Sequence, residues 1–172
     1  MQHTPKKNQK GKKRSAFLMA TACIGLVASA LLKIEYRLFY QLIALLACVL
    51  SFEMLNRYYL TTYTYTVDEE SFIITKRTGK RTQTVCNLSL QTLLGIEKQT
   101  KTKEARLQRD RTYGTPRLRY NYCQSMSPAE SYLIFFEFNG KTAEIAFEPD
   151  QAMVSALLHE LHRKNEFESF ED

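Results

Sequence analysis

Two long apolar segments dominate the first third of the chain. Residues 15–32 and 38–52 contain no charged side chain. The uncharged stretch 16–32 would form roughly 25 Å of α-helix, which is at the short end for a hydrocarbon core of about 30 Å. We therefore predict two transmembrane spans, over about 16–33 and 38–55.

The two spans are predicted to pack as a hairpin. The connector from Lys33 to Arg37 is too short for any arrangement other than antiparallel neighbouring helices. Small residues at every fourth position of the first span lie on one helix face, and such ridges let helices approach closely in a membrane. The predicted helix-packing ridge consists of Thr21, Gly25 and Ser29.

Two other interpretations of the apolar segments stay open. A basic start, an apolar stretch and Ala28-Ser29-Ala30 match the general form of a cleaved signal peptide. The apolar stretch, however, continues through Leu31 and Leu32 without a polar break before the next segment. A soluble helical hairpin would need a polar face on each helix, and neither segment has one. The transmembrane hairpin is therefore the favoured interpretation.

From residue 57 onward, short β-like stretches alternate with turn signals. Asn139-Gly140 between two such stretches is a strong signal for a two-residue hairpin, and Thr78-Gly79-Lys80 marks another tight turn. Tyr, Thr and Val, which favour strands, are dense in the first stretch. The pattern predicts about seven antiparallel strands: 58–67, 72–77, 81–86, 94–101, 117–123, 131–138 and 141–147.

Two further segments complete the predicted order. Residues 102–116 are polar and basic and contain Gly114 and Pro116, which predicts a long loop. Residues 149–164 carry apolar side chains at helical spacing after Pro149, which favours a closing amphipathic helix. The predicted fold class is therefore α+β.

The net charge of +6 belongs to the start of the chain. Residues 1–14 carry six basic and no acidic residues, whereas 58–172 carry 15 basic against 16 acidic. The high pI is then no evidence for a nucleic-acid partner. The positive-inside rule places the N-terminus in the cytoplasm, and two spans return the chain to the same side. We predict a basic cytoplasmic tail (1–14), a transmembrane hairpin (15–57), a cytoplasmic β domain with its C-terminal helix (58–164) and an acidic tail (165–172).

Two stretches carry a resemblance to a known family. From Tyr63 to Lys98, a strand, an acidic turn, a second strand, a Thr-Gly-Lys turn and a third strand follow one another. The stretch IAFEPDQAMVSALLHEL supplies a closing strand, a Pro turn and a helix. In this order the chain resembles the bacterial pleckstrin-homology-like (PH-like) membrane proteins, in which two transmembrane helices precede a seven-stranded, helix-capped domain. The resemblance implies an antiparallel β-barrel or sandwich that serves as a binding scaffold rather than an enzyme.

The sequence contains no recognisable catalytic or metal-binding motif. His159 and His162 form His-Glu-Leu-His, whereas a zinc protease helix needs its two histidines four residues apart. The four cysteines show no CxxC spacing and are interpreted as reduced thiols. We therefore expect a non-enzyme with no catalytic residue, cofactor or metal.

The strongest charge cluster lies at residues 98–119, with eight basic against two acidic residues. Residues 130–172 carry ten acidic against three basic residues, so the domain could orient its basic side toward an anionic leaflet. A solvated loop, or one paired with the acidic half, is the alternative. The candidate contact residues are Lys98, Lys101, Lys103, Arg106, Arg109, Arg111, Arg117 and Arg119.

These observations favour a membrane-anchored, multi-pass interaction module that presents its β domain at the inner face of the cell membrane. Its partners would be the bilayer, with anionic lipid headgroups or a protein or peptide bound by the domain. The alternative is an accessory subunit of a larger membrane complex of the transporter or secretion type. A membrane enzyme that uses His159 and His162 is the least favoured hypothesis.

Overall fold

The computed structural model describes residues 1–6, 9–31, 37–100, 102–125, 128 and 130–168. The chain forms two compact units. The helical hairpin comprises Lys7–Thr62, and the β domain combines Met1–Lys6 with Tyr63–Asp172. The first six residues, grouped by sequence with the basic tail, are therefore part of the β domain.

The helical hairpin consists of α1 (Gln9–Leu31) and α2 (Arg37–Leu55), followed by a π-helical turn at Asn56–Leu60. Both helices are long and apolar enough to cross a membrane by length and composition. Helix α1 begins well before the predicted span. Residues 33–36 of the predicted connector lie outside the described residues.

Small side chains lie inside the helical hairpin and large apolar ones lie outside. Ser29 and Ser51 are buried, whereas the exposed large apolar side chains range from 43% exposure at Leu18 to 81% at Leu38. In the most apolar windows of the two helices, only 11% and 6% of the residues are buried. A helix in a water-soluble core shows the opposite distribution.

The first sheet of the β domain contains four strands in the order β1-β2-β3-β4. The strands are β1 (Gln2–His3), β2 (Thr61–Val67), β3 (Ser71–Thr78) and β4 (Arg81–Ser89). Every second side chain of β2 is buried, which is the alternation expected of a sheet with one face in the core. Strand β2 begins later than the predicted position 58 because Asn56–Leu60 is helical.

The second sheet has the order β5-β7-β8-β6. After a 3-10 turn at Leu90–Thr92, its strands are β5 (Leu93–Lys98), β6 (Leu118–Asn121), β7 (Tyr132–Phe138) and β8 (Lys141–Phe147). The turn between β7 and β8 places Asn139 at φ 52° and Gly140 at φ 69°. Both residues need positive φ in this turn type, so the hairpin predicted from Asn-Gly is confirmed.

Of the predicted barrel or sandwich, the barrel is excluded. In the described part of the chain the strands form two separate four-stranded sheets and no closed barrel. Strand β6 runs parallel to β8, with Arg119 opposite Glu144, so the sheet is not wholly antiparallel. A parallel neighbour needs a crossover connection, and a short strand gives no sequence signal for its partner. The coarser prediction of an α+β fold is correct.

The long loop predicted at 102–116 is also wrong, because Lys103–Tyr113 forms helix α3. The Thr102 hydroxyl oxygen accepts a hydrogen bond from the Ala105 amide at 3.4 Å and caps the first turn. Good helix formers follow, and Gly114 at φ 81° ends the helix. The high polarity of this segment predicted a loop. Its helix propensity and the Thr102 cap instead favour the helix that forms.

Helix α4 (Gln151–Glu168) closes the core. The Asp150 carboxylate accepts a hydrogen bond from the Met153 amide at 2.9 Å, so the helix begins after Pro149 rather than at it and continues beyond the predicted end at 164. Apolar residues of both sheets and of α4 form one cluster. Its largest fully buried members are Tyr65, Phe72, Ile74, Leu93, Ile134, Ile145, Phe147, Met153 and Leu157.

Candidate anion-binding cleft

Helix α3 is fixed to the outer face of the second sheet through its last residue. The Tyr113 ring stacks on Phe135 with centroids 4.5 Å apart and planes inclined by 10°. Gly95 leaves room for the ring, because a Cβ there would lie 2.5 Å from Tyr113 Cε1. The Thr142 hydroxyl donates a hydrogen bond to the Tyr113 carbonyl at 2.7 Å. Burial and the Glu97 carboxylate raise the pKa of the Tyr113 phenol.

The rest of α3 stands away from the sheet. No residue of α3 is buried, whereas Leu133 and Phe135 on β7 form a second small core with Cys123 and Ala146. A cleft of about 400 Å³ lies between helix and sheet, within the size range of small-molecule pockets. It is lined by Gln99, Thr100, Thr102, Lys103, Arg106, Arg109, Asp110, Arg119, Leu133 and Glu144.

The cleft carries more positive than negative charge. Its lining contains four basic residues and two acidic ones, Asp110 and Glu144. Arg119 Nε lies 3.2 Å from Glu144 Oε1, and an Arg109 guanidinium nitrogen donates to the Thr100 carbonyl at 3.4 Å. The lining can therefore offer several cationic hydrogen-bond donors to one negatively charged group.

Half of the predicted basic residues meet in this cleft: Lys103, Arg106, Arg109 and Arg119. Lys98 Nζ instead lies 2.7 Å from Glu130 Oε1. This hydrogen-bonded pair raises the pKa of Lys98 and lowers that of Glu130. Arg111 and Arg117 are exposed outside the cleft, and Lys101 lies outside the described residues. The predicted basic segment is therefore divided among different environments.

Sequence reasoning missed several residues of the cleft. The polar groups of Gln99, Thr100 and Thr102 lie just before α3, in a segment predicted partly as strand and partly as loop. Glu144 points outward by strand alternation, which the sequence does indicate. Its pairing with Arg119, which was itself a predicted contact residue, could not be found, because pairing between β6 and β8 joins distant segments.

Of the predicted helix-packing ridge, Ser29 is buried, whereas Thr21 and Gly25 are exposed. Thr21, Gly25 and Ser29 line a groove of about 450 Å³ within the helical hairpin, together with Tyr40, Ala44, Ala47 and Ser51 of α2. The Thr21 and Ser29 hydroxyls donate to carbonyls of their own helix, at Leu18 (2.9 Å) and Leu26 (2.8 Å). A Cβ at Gly25 would meet nothing within 4 Å, so the helices leave open space at that position.

The two histidines of the His-Glu-Leu-His motif lie on the exposed side of α4. His159 Nδ1 lies 3.8 Å from Glu160 Oε1. In the part of the chain that the structure describes, no three His, Cys, Asp or Glu side chains come together as metal ligands.

The two sheets, the closing helix α4 and the preceding apolar hairpin define a PH-like domain joined to an N-terminal helical pair. The chain belongs to the family described as Bacterial PH-like domain (DUF6106), whose model matches residues 4–166. The resemblance inferred from sequence is thereby confirmed. The match spans both apolar helices as well as the β domain. No curated protein matches the chain.

Proposed function

We propose that this protein is a membrane-anchored interaction module that presents a PH-like domain at the inner face of the cell membrane. The observation that carries the proposal is the inverted polarity of the helical hairpin. Large apolar side chains cover its surface, and small residues such as Ser29 and Ser51 are buried. Lipid tails solvate the first kind of surface, and small residues suit helix contacts in a bilayer.

Strand pairing supports an even number of membrane crossings. Residues before α1 and residues after α2 join in the same sheet, with Gln2 opposite Thr66 and His3 opposite Tyr65. His3 Nδ1 also lies 3.0 Å from Asp150 Oδ2 in the same unit. Both flanks of the hairpin are then on one side of the bilayer. The six basic residues in 1–14 favour the cytoplasmic side.

Membership of a PH-like family supports a binding role rather than catalysis. Anchoring keeps the domain concentrated at the bilayer, so that weak contacts with an anionic headgroup or a protein partner become effective. The cleft under α3 is the surface of the β domain that we assign to this contact.

Cysteine labelling in bacterial spheroplasts tests the anchoring and the orientation. In a variant without native cysteines, Lys80→Cys places a thiol in the exposed turn between β3 and β4. We expect a membrane-impermeant maleimide to label it only after lysis. Lys33→Cys, in the predicted external connector, is the matched control and should react in intact spheroplasts.

Alkaline carbonate extraction accompanies the labelling, and the protein should stay in the membrane pellet. Release into the supernatant would contradict the anchoring. Labelling of Lys80→Cys in intact spheroplasts would contradict the orientation.

A further inference from the structure

Helix α3 has no buried residue and no apolar stripe facing the sheet, unlike an ordinary amphipathic helix. Lys103, Arg106 and Arg109 line the cleft. Arg109 is half-buried, and Lys103 and Arg106 are exposed, as is Leu107. Like charges one turn apart on a helix repel each other. The cleft therefore concentrates positive charge that the β domain itself only partly neutralises.

A cation from a different element completes the arrangement. Arg119, on β6, also lines the cleft and forms an ion pair with Glu144. Thr100 and Thr102, which immediately precede α3, also line the cleft, and the amide groups of a helix N-terminus favour an anion. Donors from two elements thus converge on one space, which distinguishes the cleft from a scattered basic surface.

We propose that this cleft binds a single phosphomonoester group. With four basic and two acidic residues in the lining, a group of charge near −2 would balance the site. A phosphomonoester has that charge and three acceptor oxygens, and guanidinium groups match its geometry. The proposal deepens the proposed function, since a bilayer-held domain meets such groups on lipids. Soluble phosphomonoesters share the same chemistry.

Binding to a flat anionic leaflet would involve a different set of cations. It would engage exposed cations such as Arg111 and Arg117 as readily as those of the cleft, because surface attraction depends on charge near the membrane. A bound phosphomonoester requires the cleft residues alone. Two matched variants separate the two cases: Lys103→Gln/Arg106→Gln inside the cleft and Arg111→Gln/Arg117→Gln outside it. Each pair removes two positive charges.

The first arm uses a soluble probe. The full-length protein, purified in a neutral detergent, is titrated with glycerol 1-phosphate by calorimetry, with glycerol as the blank. We expect saturable binding at one site. The cleft variant should bind at least about tenfold more weakly, because charge-assisted hydrogen bonds are lost, and the outer variant should stay within about twofold of the wild type. Thermal melting confirms that each variant is folded.

The second arm uses lipids, with native mass spectrometry to count molecules retained by the protein. Phosphatidic acid carries a phosphomonoester, and phosphatidylglycerol carries a diester of lower charge. Preferential retention of one phosphatidic acid, lost in the cleft variant alone, identifies a headgroup as a source. Binding in the soluble arm without this preference identifies a soluble ligand as the source.

Three results would overturn the proposal. The first is an absence of saturable binding in both arms, and the second is an equal weakening of binding in both variants. The third is equal retention of the two lipids together with no binding of glycerol 1-phosphate in the soluble arm. An acidic protein partner would produce the first result. Membrane extraction and labelling remain unaffected by any of these outcomes, so failure of the site is distinguishable from failure of the anchoring.

Discussion

Tyr65 connects the core of the β domain to the backbone around it. Its ring is fully buried and packs edge-on against Phe147 with centroids 5.5 Å apart. Its hydroxyl donates to the Tyr122 carbonyl at 2.9 Å and accepts from the Glu148 amide at 3.3 Å. Burial raises the pKa of this phenol well above its ordinary value of 10.0.

This raised pKa has a consequence for stability at alkaline pH. The unfolded chain releases the Tyr65 proton near pH 10 while the folded chain retains it, so unfolding becomes progressively more favourable above that pH. We expect the melting temperature of the wild type to fall more steeply between pH 9 and 11 than that of Tyr65→Phe. At pH 7 the variant should be less stable by about 1–3 kcal/mol because Tyr122 and Glu148 lose a partner. Equal slopes in the alkaline range would contradict the assignment.

Because Gly95 has no side chain, the Tyr113 ring at the end of α3 can pack against the sheet. A Cβ at this position would lie 2.5 Å from Cε1 and 2.6 Å from the hydroxyl of Tyr113. We expect Gly95→Val to displace Tyr113, to cost about 1–3 kcal/mol of stability and to speed tryptic cleavage within α3. The double variant Gly95→Val/Tyr113→Ala is the control, because its two effects should not add. Additive losses would show that the clash is not the cause.

At the scale of elements, local signals were predictive and non-local pairing was not. The β7–β8 hairpin follows from Asn139-Gly140 alone, since the turn type requires positive φ at both positions. Helix α4 follows from apolar spacing, with Met153 and Leu157 buried as expected. Strand β6 lies beside β8 in parallel, and the four exposed residues of β6 carry no pattern that names this neighbour.

The candidate cleft shows the same division. The sequence shows its cations as part of a cluster at residues 98–119 and predicts a loop at 102–116, where α3 lies in the structure. The helical spacing of α3 determines which of them share a face, and packing of Tyr113 on Phe135 determines where that face points. The grouping of the cations on one face depends on a helix that has no apolar stripe, and the direction of that face depends on a tertiary contact. The hydrophobic pattern of the sequence therefore predicts neither of them.

Within α1, two glycines have opposite surroundings. A Cβ at Gly11 would lie 2.5 Å from Cε1 of the buried Tyr58, whereas a Cβ at Gly25 would meet nothing within 4 Å. We expect Gly11→Ala to lower the melting temperature of the full-length protein in mild detergent. Gly25→Ala should leave it unchanged or raise it, because Ala is favoured over Gly in a helix by roughly 0.5–1 kcal/mol. A loss at Gly25 equal to that at Gly11 would show that the ridge needs glycine there.

At the scale of the whole molecule, the β domain is assembled from two distant parts of the chain. The Val67 amide donates to the Met1 carbonyl at 2.8 Å, and the hydroxyls of Thr4 and Thr64 lie 3.1 Å apart. The β domain therefore has an edge strand that a simple truncation after the helical hairpin would remove.

Two shortened proteins test this dependence. In one, residues 7–62 are replaced by a short Gly/Ser linker, and in the other the chain starts at Tyr63. We expect both to fold and the linked form to melt several degrees higher, since a loss of about 1 kcal/mol shifts Tm by roughly 4–8 °C in a domain of this size. The linked form with His3→Pro, which removes a backbone donor from β1, should behave like the shorter one. Identical melting of all three forms would contradict a stabilising role for β1.

Met1, which directly precedes β1, is hydrogen-bonded to Val67, 66 residues further along the chain, and both apolar helices lie between them. In the proposed membrane-anchored form, β1 can pair only after both helices have entered the membrane and β2 has been synthesised. If only one helix were inserted, β1 and β2 would lie on opposite sides of the membrane. The edge of β2 would then be unpaired and open to other chains. In the proposed membrane-anchored form, completion of this small ladder therefore depends on the insertion of both helices.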